Sequence, residues 1–396
     1  MTGIGKYNGE MAEWLANQGH EVAIITAPPY YPWWQVQLPY RPWVYCTEQI
    51  NKVKVYRCPL WVPHQPTGTK RLFHLFSFAL TSIPLLLIQL FKRPDVIVVL
   101  EPTLFCAPVA LGVAHMTGTR TWLHVQDFEV DAALKLGMVR ANGISRAAAN
   151  IERWLMNCFD RVSTISDSML HRLATKGVLR GKSVLLPNWV DAQDIFPLSR
   201  ASIYRKELNI GNDICVALYS GNMGEKQGLE ILLEAAKLLQ PETGLLFVLC
   251  GEGAARQRLM QMGAELHNVR WLPLQPMEKL NELLNLADVH LLPQRADVAD
   301  LVMPSKLLGM LASGRPVLAT AHPGTQLAKV VSSCGKVIEP GNVQGIAKEL
   351  LKFLHAPHER KQLGTAGRQA AQAWDKSNVL CGFESQLHAL CDKTTA

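Results

Sequence analysis

The chain has 396 residues, 48% of them hydrophobic and 18% charged. That balance excludes a disordered or fibrous protein and leaves room for two or three globular domains. The formal charge of +7 sits in residues 1–188, which hold 19 Lys and Arg against 12 Asp and Glu, whereas residues 189–396 balance at 21 of each. A basic first half suits an anionic membrane surface or a diphosphate-bearing acceptor, and equally a plain soluble face. The nine cysteines form no Cys-x-x-Cys pair, and Cys106, Cys215 and Cys250 lie in apolar runs. A reducing compartment is expected, with cysteine acting as a small buried hydrophobe. Met1-Thr2-Gly3 lacks a basic and apolar leader, so no signal peptide is expected.

Gly3 and Gly5 read as a turn ahead of an amphipathic helix that ends at Gly19. Residues 20–26 then read as a strand. In a doubly wound domain such a turn follows a central first strand. None stands ahead of Gly3, so the first domain is expected to lack it, leaving two rows of backbone groups unpaired. Residues 27–43 are rich in Pro and aromatic rings. They form either a platform for an acceptor sugar or lipid headgroup, or a loop packed down by its own rings. A strand at 53–58 precedes the apolar stretch 72–91, bracketed by Lys70-Arg71 and Lys92-Arg93. Its length approaches the ~20 residues of a membrane span. His74, Ser82, Pro84 and Gln89 interrupt it, so it reads as a helix with one greasy face, packed on the domain or lying on a membrane.

Strands at 95–100, 120–125, 161–165 and 183–186 alternate with helices near 106–116, 144–158 and 166–175, which predicts a parallel sheet with crossover helices. Residues 187–189 close this half and 192–208 read as a linker. The second half repeats the rhythm. Its strands are at 214–220, 245–250, 269–272, 289–292, 317–320 and 336–338. Its helices lie near 226–239, 254–263, 277–285, 305–311 and 343–354, with two more at 357–374 and 377–391.

Ligands of open α/β sheets bind beyond the carboxyl ends of the strands. Three loops there have the composition of an anion site. Gly221-Asn222-Met223-Gly224 follows the first strand of the second half and lets backbone approach a phosphate. Lys226, just inside the next helix, can neutralise it or be a solvated helix lysine. Gly251-Glu252-Gly253 follows the next strand, lining a base or ribose or serving as a plain turn. After the strand at 289–292, Pro304 suits a first helical turn, Ser305 can cap it, and Lys306 adds an ammonium to the positive helix end. In the first half, Asp127 stands at the end of the strand at 120–125, able to act as a base, bind a sugar hydroxyl, or cap the next segment. His124 reads as a satisfied core or cleft histidine. Asp297 and Asp300 read as an exposed turn, and no metal site is expected.

The run Pro304–Thr320, PSKLLGMLASGRPVLAT, resembles the donor-site helix of retaining glycosyltransferases of family 4, GT-B enzymes that use nucleotide-diphosphate sugars. Residues 2–7 with 19–22, 163–166, 186–191 and 219–229 resemble the same family in the same order, over nearly the whole chain. Within it the likeness is to the branch that transfers fucose in colanic acid (exopolysaccharide) biosynthesis. The resemblance implies an α/β GT-B fold with two Rossmann-like parallel-sheet domains facing a cleft. Residues 1–188 would bind acceptor, 189–375 would bind the nucleotide sugar, and 376–396 would be a helix returning to the first domain. It implies retaining, metal-independent transfer, of fucose from GDP-fucose, to a lipid-linked oligosaccharide. The enzyme would sit on the cytoplasmic face of the inner membrane, touching it through residues 70–93, with no cofactor beyond the donor and no nucleic-acid partner.

In that scheme Asp127, Lys226 and Lys306 are catalytic. Gly3, Gly5, Gly221, Asn222, Gly224, Gly251, Glu252, Gly253 and Ser305 bind donor. Most relatives carry Glu-x7-Glu with the second Glu on the donor ribose; here those positions are Leu301 and Gly309. That departure and the missing first strand leave a non-catalytic scaffold of a polysaccharide assembly open. A GT-B nucleotide-sugar epimerase is a second alternative.

Overall fold

The computed structural model describes residues 4–31, 33–64, 68–101, 104–128, 143–295 and 304–392. It divides into two units, Met1–Pro187 with Leu380–Ala396, and Asn188–Val379.

The first unit begins with α1 (Ile4–Asn17). Gly5, expected in a turn, is a helical residue, because the i, i+4 burial of Tyr7, Met11, Ala12 and Ala16 carries the helix back past it. Gly3 lies outside the described residues. Ala12 and Ala16 pack on Val53 and Val55. The helix closes in a Schellman turn: Gly19 takes φ 99°, its N–H donates to Ala16 O at 3.3 Å, and the His20 N–H donates to Leu15 O at 3.1 Å. β1 (Ala23–Thr26) pairs in parallel with β3 (Val53–Arg57), which pairs antiparallel with β2 (Cys46–Ile50). The polar, mostly exposed CTEQI of β2 gives no apolar alternation, and sequence reading misses it.

Next come α2 (Gly68–Lys92), β4 (Val96–Glu101), α3 (Ala107–Thr117), β5 (Arg120–Val125), α4 (Gly143–Cys158), β6 (Arg161–Thr164), α5 (Asp167–Thr175) and β7 (Ser183–Leu185). β4-β5-β6-β7 form a parallel sheet separate from β1-β3-β2. β1 and β4 are therefore both edge strands. α2 packs on β1, α3 packs on β4, and the two helices pack on each other. β1 and β4 thus both adjoin one helix pair. Beneath this layer, Trp122 Nε1–H donates to Ser163 Oγ at 2.7 Å, and His124 Nδ1 lies 2.8 Å from the same oxygen. Gln126 Nε2 lies 2.9 Å from His124 Nε2. An amide donor there places the imidazole proton on Nδ1. Burial pushes the His124 pKa down to about 4, which keeps the ring neutral.

The second unit contains α6 (Ile203–Glu207), inside the expected linker, then β8 (Cys215–Ser220), α7 (Glu230–Leu238), β9 (Leu245–Cys250), α8 (Arg256–Met262) and β10 (Val269–Leu272). α9 (Leu280–Leu284), β11 (Val289–Leu292), α10 (Ser305–Ala312), β12 (Val317–Thr320), α11 (Gln326–Ser332), β13 (Gly335–Ile338), α12 (Val343–His355) and α13 (Pro357–Ala371) complete it. All six strands are parallel, in the order β10-β9-β8-β11-β12-β13. Cys215, Ala217 and Tyr219 of β8 face one helical layer while Val216 and Leu218 face the other. Burial on both faces explains the continuous apolar run. α11 is only seven residues long, too short to show helical periodicity, but Thr325 Oγ1 caps it by accepting from the Ala328 N–H at 3.2 Å. α14 (Lys376–Cys391) follows; from Leu380 onward it belongs to the first unit, where the Phe383 ring stands edge-on to Trp122 at 5.1 Å.

His290 on β11 is fully buried with Nε2 3.0 Å from Ser313 Oγ, and burial lowers its pKa to about 3. In the unfolded chain both histidines protonate near pH 6.5, whereas the folded rings stay neutral to about 4 and about 3. The unfolded state therefore binds more protons below pH 6.5, and stability falls with acidification. Urea unfolding should lose roughly 2 kcal/mol or more between pH 7 and 4.5; a flat profile would contradict the two neutral rings.

Candidate functional site

In the second sheet, successive strands β8, β9 and β10 run outward one way, and β11, β12 and β13 run outward the other. The chain reverses between β8 and β11, and loops leaving neighbouring strands at such a point separate to open a crevice. The loop after β8 carries Gly221 to Gly224; the connection after β11 leads to α10. β8 and β11, which lead to these two segments, are therefore neighbours at the reversal.

The β8 loop is braced by the β9 loop, backbone against backbone. The Gly221 N–H donates to Cys250 O at 3.0 Å, Met223 N–H to Glu252 O at 2.8 Å, and Ala255 N–H to Met223 O at 2.9 Å. A Cβ on Gly251 would stand 1.8 Å from Gly221 O, and one on Gly253 2.4 Å from Met223 O, with φ at 146° and 156°. These glycines are thus required by loop-on-loop packing, a stronger demand than a plain turn. Glu252, half-buried, faces Arg256 at 3.6 Å.

Lys306 reaches into this loop from the first turn of α10. Its Nζ lies 4.4 Å from the centroid of the Tyr219 ring and 3.7 Å from where a Gly221 Cβ would be. The buried Tyr219 hydroxyl donates to Asn222 O at 2.6 Å, tying the ring that supports the ammonium to the loop beside it. Removal from water lowers the Lys306 pKa to about 8. A half-buried cation, over a ring face and beside a glycine loop, is poised to gain from an arriving anion. Tyr219 carried no signal in the sequence beyond its place two residues before Gly221.

α10 is anchored at its far end. Arg368 Nη1 donates to Ala312 O at 2.9 Å and to Ile195 O at 2.6 Å, and Ser313 Oγ, bonded to His290, donates to Met310 O at 2.7 Å. Two expectations need correcting here. Pro304, with extended backbone, is the N-cap, and Ser305, exposed, is the first helical residue and not the cap. Lys226 is not in α7 but in a 3-10 turn, Glu225–Gln227, because Gly228 at φ 60° breaks the helix before Glu230; its side chain lies outside the described residues. Arg295 lies across Gly228, where a Cβ would meet its Cγ at 2.6 Å. Asn222 is exposed and Gly224 half-buried on the same loop. Gly309 packs toward Leu284 Cδ1, 3.3 Å from its built Cβ. Leu301, Asp297 and Asp300 lie outside the described residues. In the first unit, Asp127 is exposed just past β5, adjoining the buried His124–Gln126 pair.

The family description "Glycosyl transferase 4-like domain" matches residues 2–189, and "Glycosyl transferases group 1" matches residues 201–370. The putative colanic acid biosynthesis glycosyl transferase WcaI of Escherichia coli K12 is 41% identical over 397 residues, 98% of this chain and 96% of its own. Among solved structures, sucrose-phosphate synthase from Thermosynechococcus elongatus superposes with a TM-score of 0.75 at 16% identity, over 98% of this chain and 94% of that one. Anabaena HepE in complex with UDP-glucose gives 0.64 at 16% identity, over 86% and 87%. The likeness to these structures gives the fold as GT-B.

Replacing Gly251 with Ala should cost more than about 2 kcal/mol, because backbone on both sides must move. Gly324→Ala, also at positive φ (84°) but with nothing within 4 Å, should cost only about 1 kcal/mol. Urea midpoints of the two variants compare the costs, and equal losses would contradict the loop-on-loop account.

Proposed function

Because the chain belongs to the glycosyltransferase family with a 4-like domain and a group 1 domain, we propose that it transfers a sugar from a nucleoside diphosphate donor to a lipid-linked saccharide, with retention, in synthesis of a colanic acid-type exopolysaccharide. The observation that carries the reading is the Lys306 ammonium beside the Gly221 loop at the reversal point of the second sheet. Lys306 and the first-turn N–H groups of α10 stabilise charge that builds on the diphosphate as the glycosidic bond breaks, in place of a metal ion. Lys226, Asn222 and the backbone of Gly221 and Gly224 complete the diphosphate site, with Ser305 beside it. Gly251, Glu252 and Gly253 border the nucleoside. Asp127 binds an acceptor or donor hydroxyl from the first unit. GDP-fucose is the proposed donor, supported by the segments shared with the fucose-transferring branch.

The proposed location is the cytoplasmic face of the inner membrane. α2 is long and apolar enough to cross a membrane by length and composition, yet His74, Ala79, Ser82 and Leu86 are buried on one side of it. The opposite side exposes Phe73 (66%), Phe76, Leu80, Leu87 and Phe91 (89%) at i, i+3/i+4 spacing. Lys70-Arg71 and Lys92-Arg93 stand at its ends. The aromatic loop lies against the same helix: the Tyr30 ring is 4.7 Å from His74, Arg71 is 5.4 Å from the Trp34 ring, and Tyr45 OH donates to Thr81 O at 2.7 Å. An exposed apolar stripe with basic ends and aromatic neighbours suits the surface of an anionic bilayer.

Mass-resolved transfer from a panel of GDP- and UDP-sugars to a lipid-diphosphate saccharide tests the activity. The expected product is the fucosylated lipid. Lys306→Ala should reduce its rate by about 100-fold or more, and donor binding should take up a proton near pH 8 and weaken above it, as the free ammonium deprotonates. Nucleotide binding without transfer from any donor would contradict the reading. Sedimentation with vesicles tests the location. Binding should require anionic lipid and be lost in a Phe73→Ser/Phe76→Ser double variant; binding to neutral vesicles alone, or unchanged binding by the variant, would overturn it.

A further inference from the structure

The C-terminal helix brings together three metal-ligating side chains that the donor site does not use. Glu384 and His388 are four residues apart on α14 and so share one face. His20 faces them from the turn that closes α1. The three candidate ligand atoms lie within 4.8 Å of one another. His20 Nε2 is 2.9 Å from Glu384 Oε1, and the His20 and His388 rings are 5.4 Å apart between centroids. His20 and Glu384 are 364 positions apart in sequence, so no spacing motif announces the cluster.

Both supporting elements are rigid. The Schellman turn fixes the His20 backbone through its N–H bond to Leu15 O at 3.1 Å. On α14, Leu380 and Phe383 are fully buried one turn and one residue before Glu384, with Phe383 seated on Trp122 at 5.1 Å. Side-chain freedom lies where it is needed, since His20 and His388 are exposed and Glu384 only half-buried. Tetrahedral zinc with bonds of about 2.1 Å needs donors about 3.4 Å apart, a contraction that rotation of exposed imidazoles supplies.

We infer that His20, Glu384 and His388 form a site for a first-row divalent metal ion, zinc by preference, that fastens α14 to the end of α1. Two imidazoles with one carboxylate suit zinc, cobalt or nickel; magnesium and calcium favour all-oxygen sets. Three protein ligands leave at least one coordination position for water. The site is separate from the transfer chemistry and does not depend on the proposed donor.

Calorimetric titration of the EDTA-treated full chain with zinc chloride tests this. One equivalent should bind and raise the melting temperature. His20→Ala and His388→Ala should each weaken binding by at least about tenfold. His267→Ala, an exposed histidine of the second unit, should bind as the parent does. Cobalt(II) should give a tetrahedral spectrum without a thiolate charge-transfer band. No saturable uptake, uptake unchanged in His388→Ala, or a thiolate band pointing to cysteine ligands would each overturn the inference.

Discussion

A half-buried lysine ammonium resting over a tyrosine ring against a glycine loop is the arrangement on which the proposed reading of the second unit rests. Three unrelated features of the fold produce it. The reversal of strand order puts the carboxyl ends of β8 and β11 side by side. The absence of a side chain at Gly221, and the tight seating of Gly251 on its carbonyl, leave room at the loop. Tyr219 then supports the ammonium from beneath while its hydroxyl holds Asn222 O. The cost of holding Lys306 is visible in its pKa of about 8, and a bound diphosphate would offset that cost.

Much of this was legible in the sequence because two-face burial writes itself as unbroken apolar runs. Strands β9, β11 and β12 begin and end where those runs do. The glycine loops at the carboxyl ends of β8 and β9 were legible from their composition. What escaped were short or half-polar elements: β2, with its exposed polar side chains, and the five- and seven-residue helices α6 and α11. Local competition misled the reading at termini. Gly5 was absorbed into α1, and Ser305 entered the helix that it was expected to cap. The contact of Tyr219 with Lys306 was invisible because an aromatic in a core strand reads as core, which it also is.

The first unit follows a different logic. Most of the chain's net positive charge belongs to it, and so does the stripe of exposed phenylalanines and leucines on α2. Among the described residues its strands form two sheets, with β1 and β4 at their edges and packed on α2 and α3 respectively. The neutral His124, bonded to Ser163 and adjoining Gln126, shows how a polar strand end can be buried without charge. The His20–Glu384–His388 cluster adds a long-range tie that only the folded chain assembles.

The most direct test of the central claim is a crystal structure with a bound nucleoside diphosphate. The account predicts a phosphate oxygen within hydrogen-bonding distance of Lys306 Nζ, beside the backbone of Gly221 and the first turn of α10. A diphosphate bound elsewhere, with Lys306 still resting on Tyr219 and touching no phosphate, would contradict it.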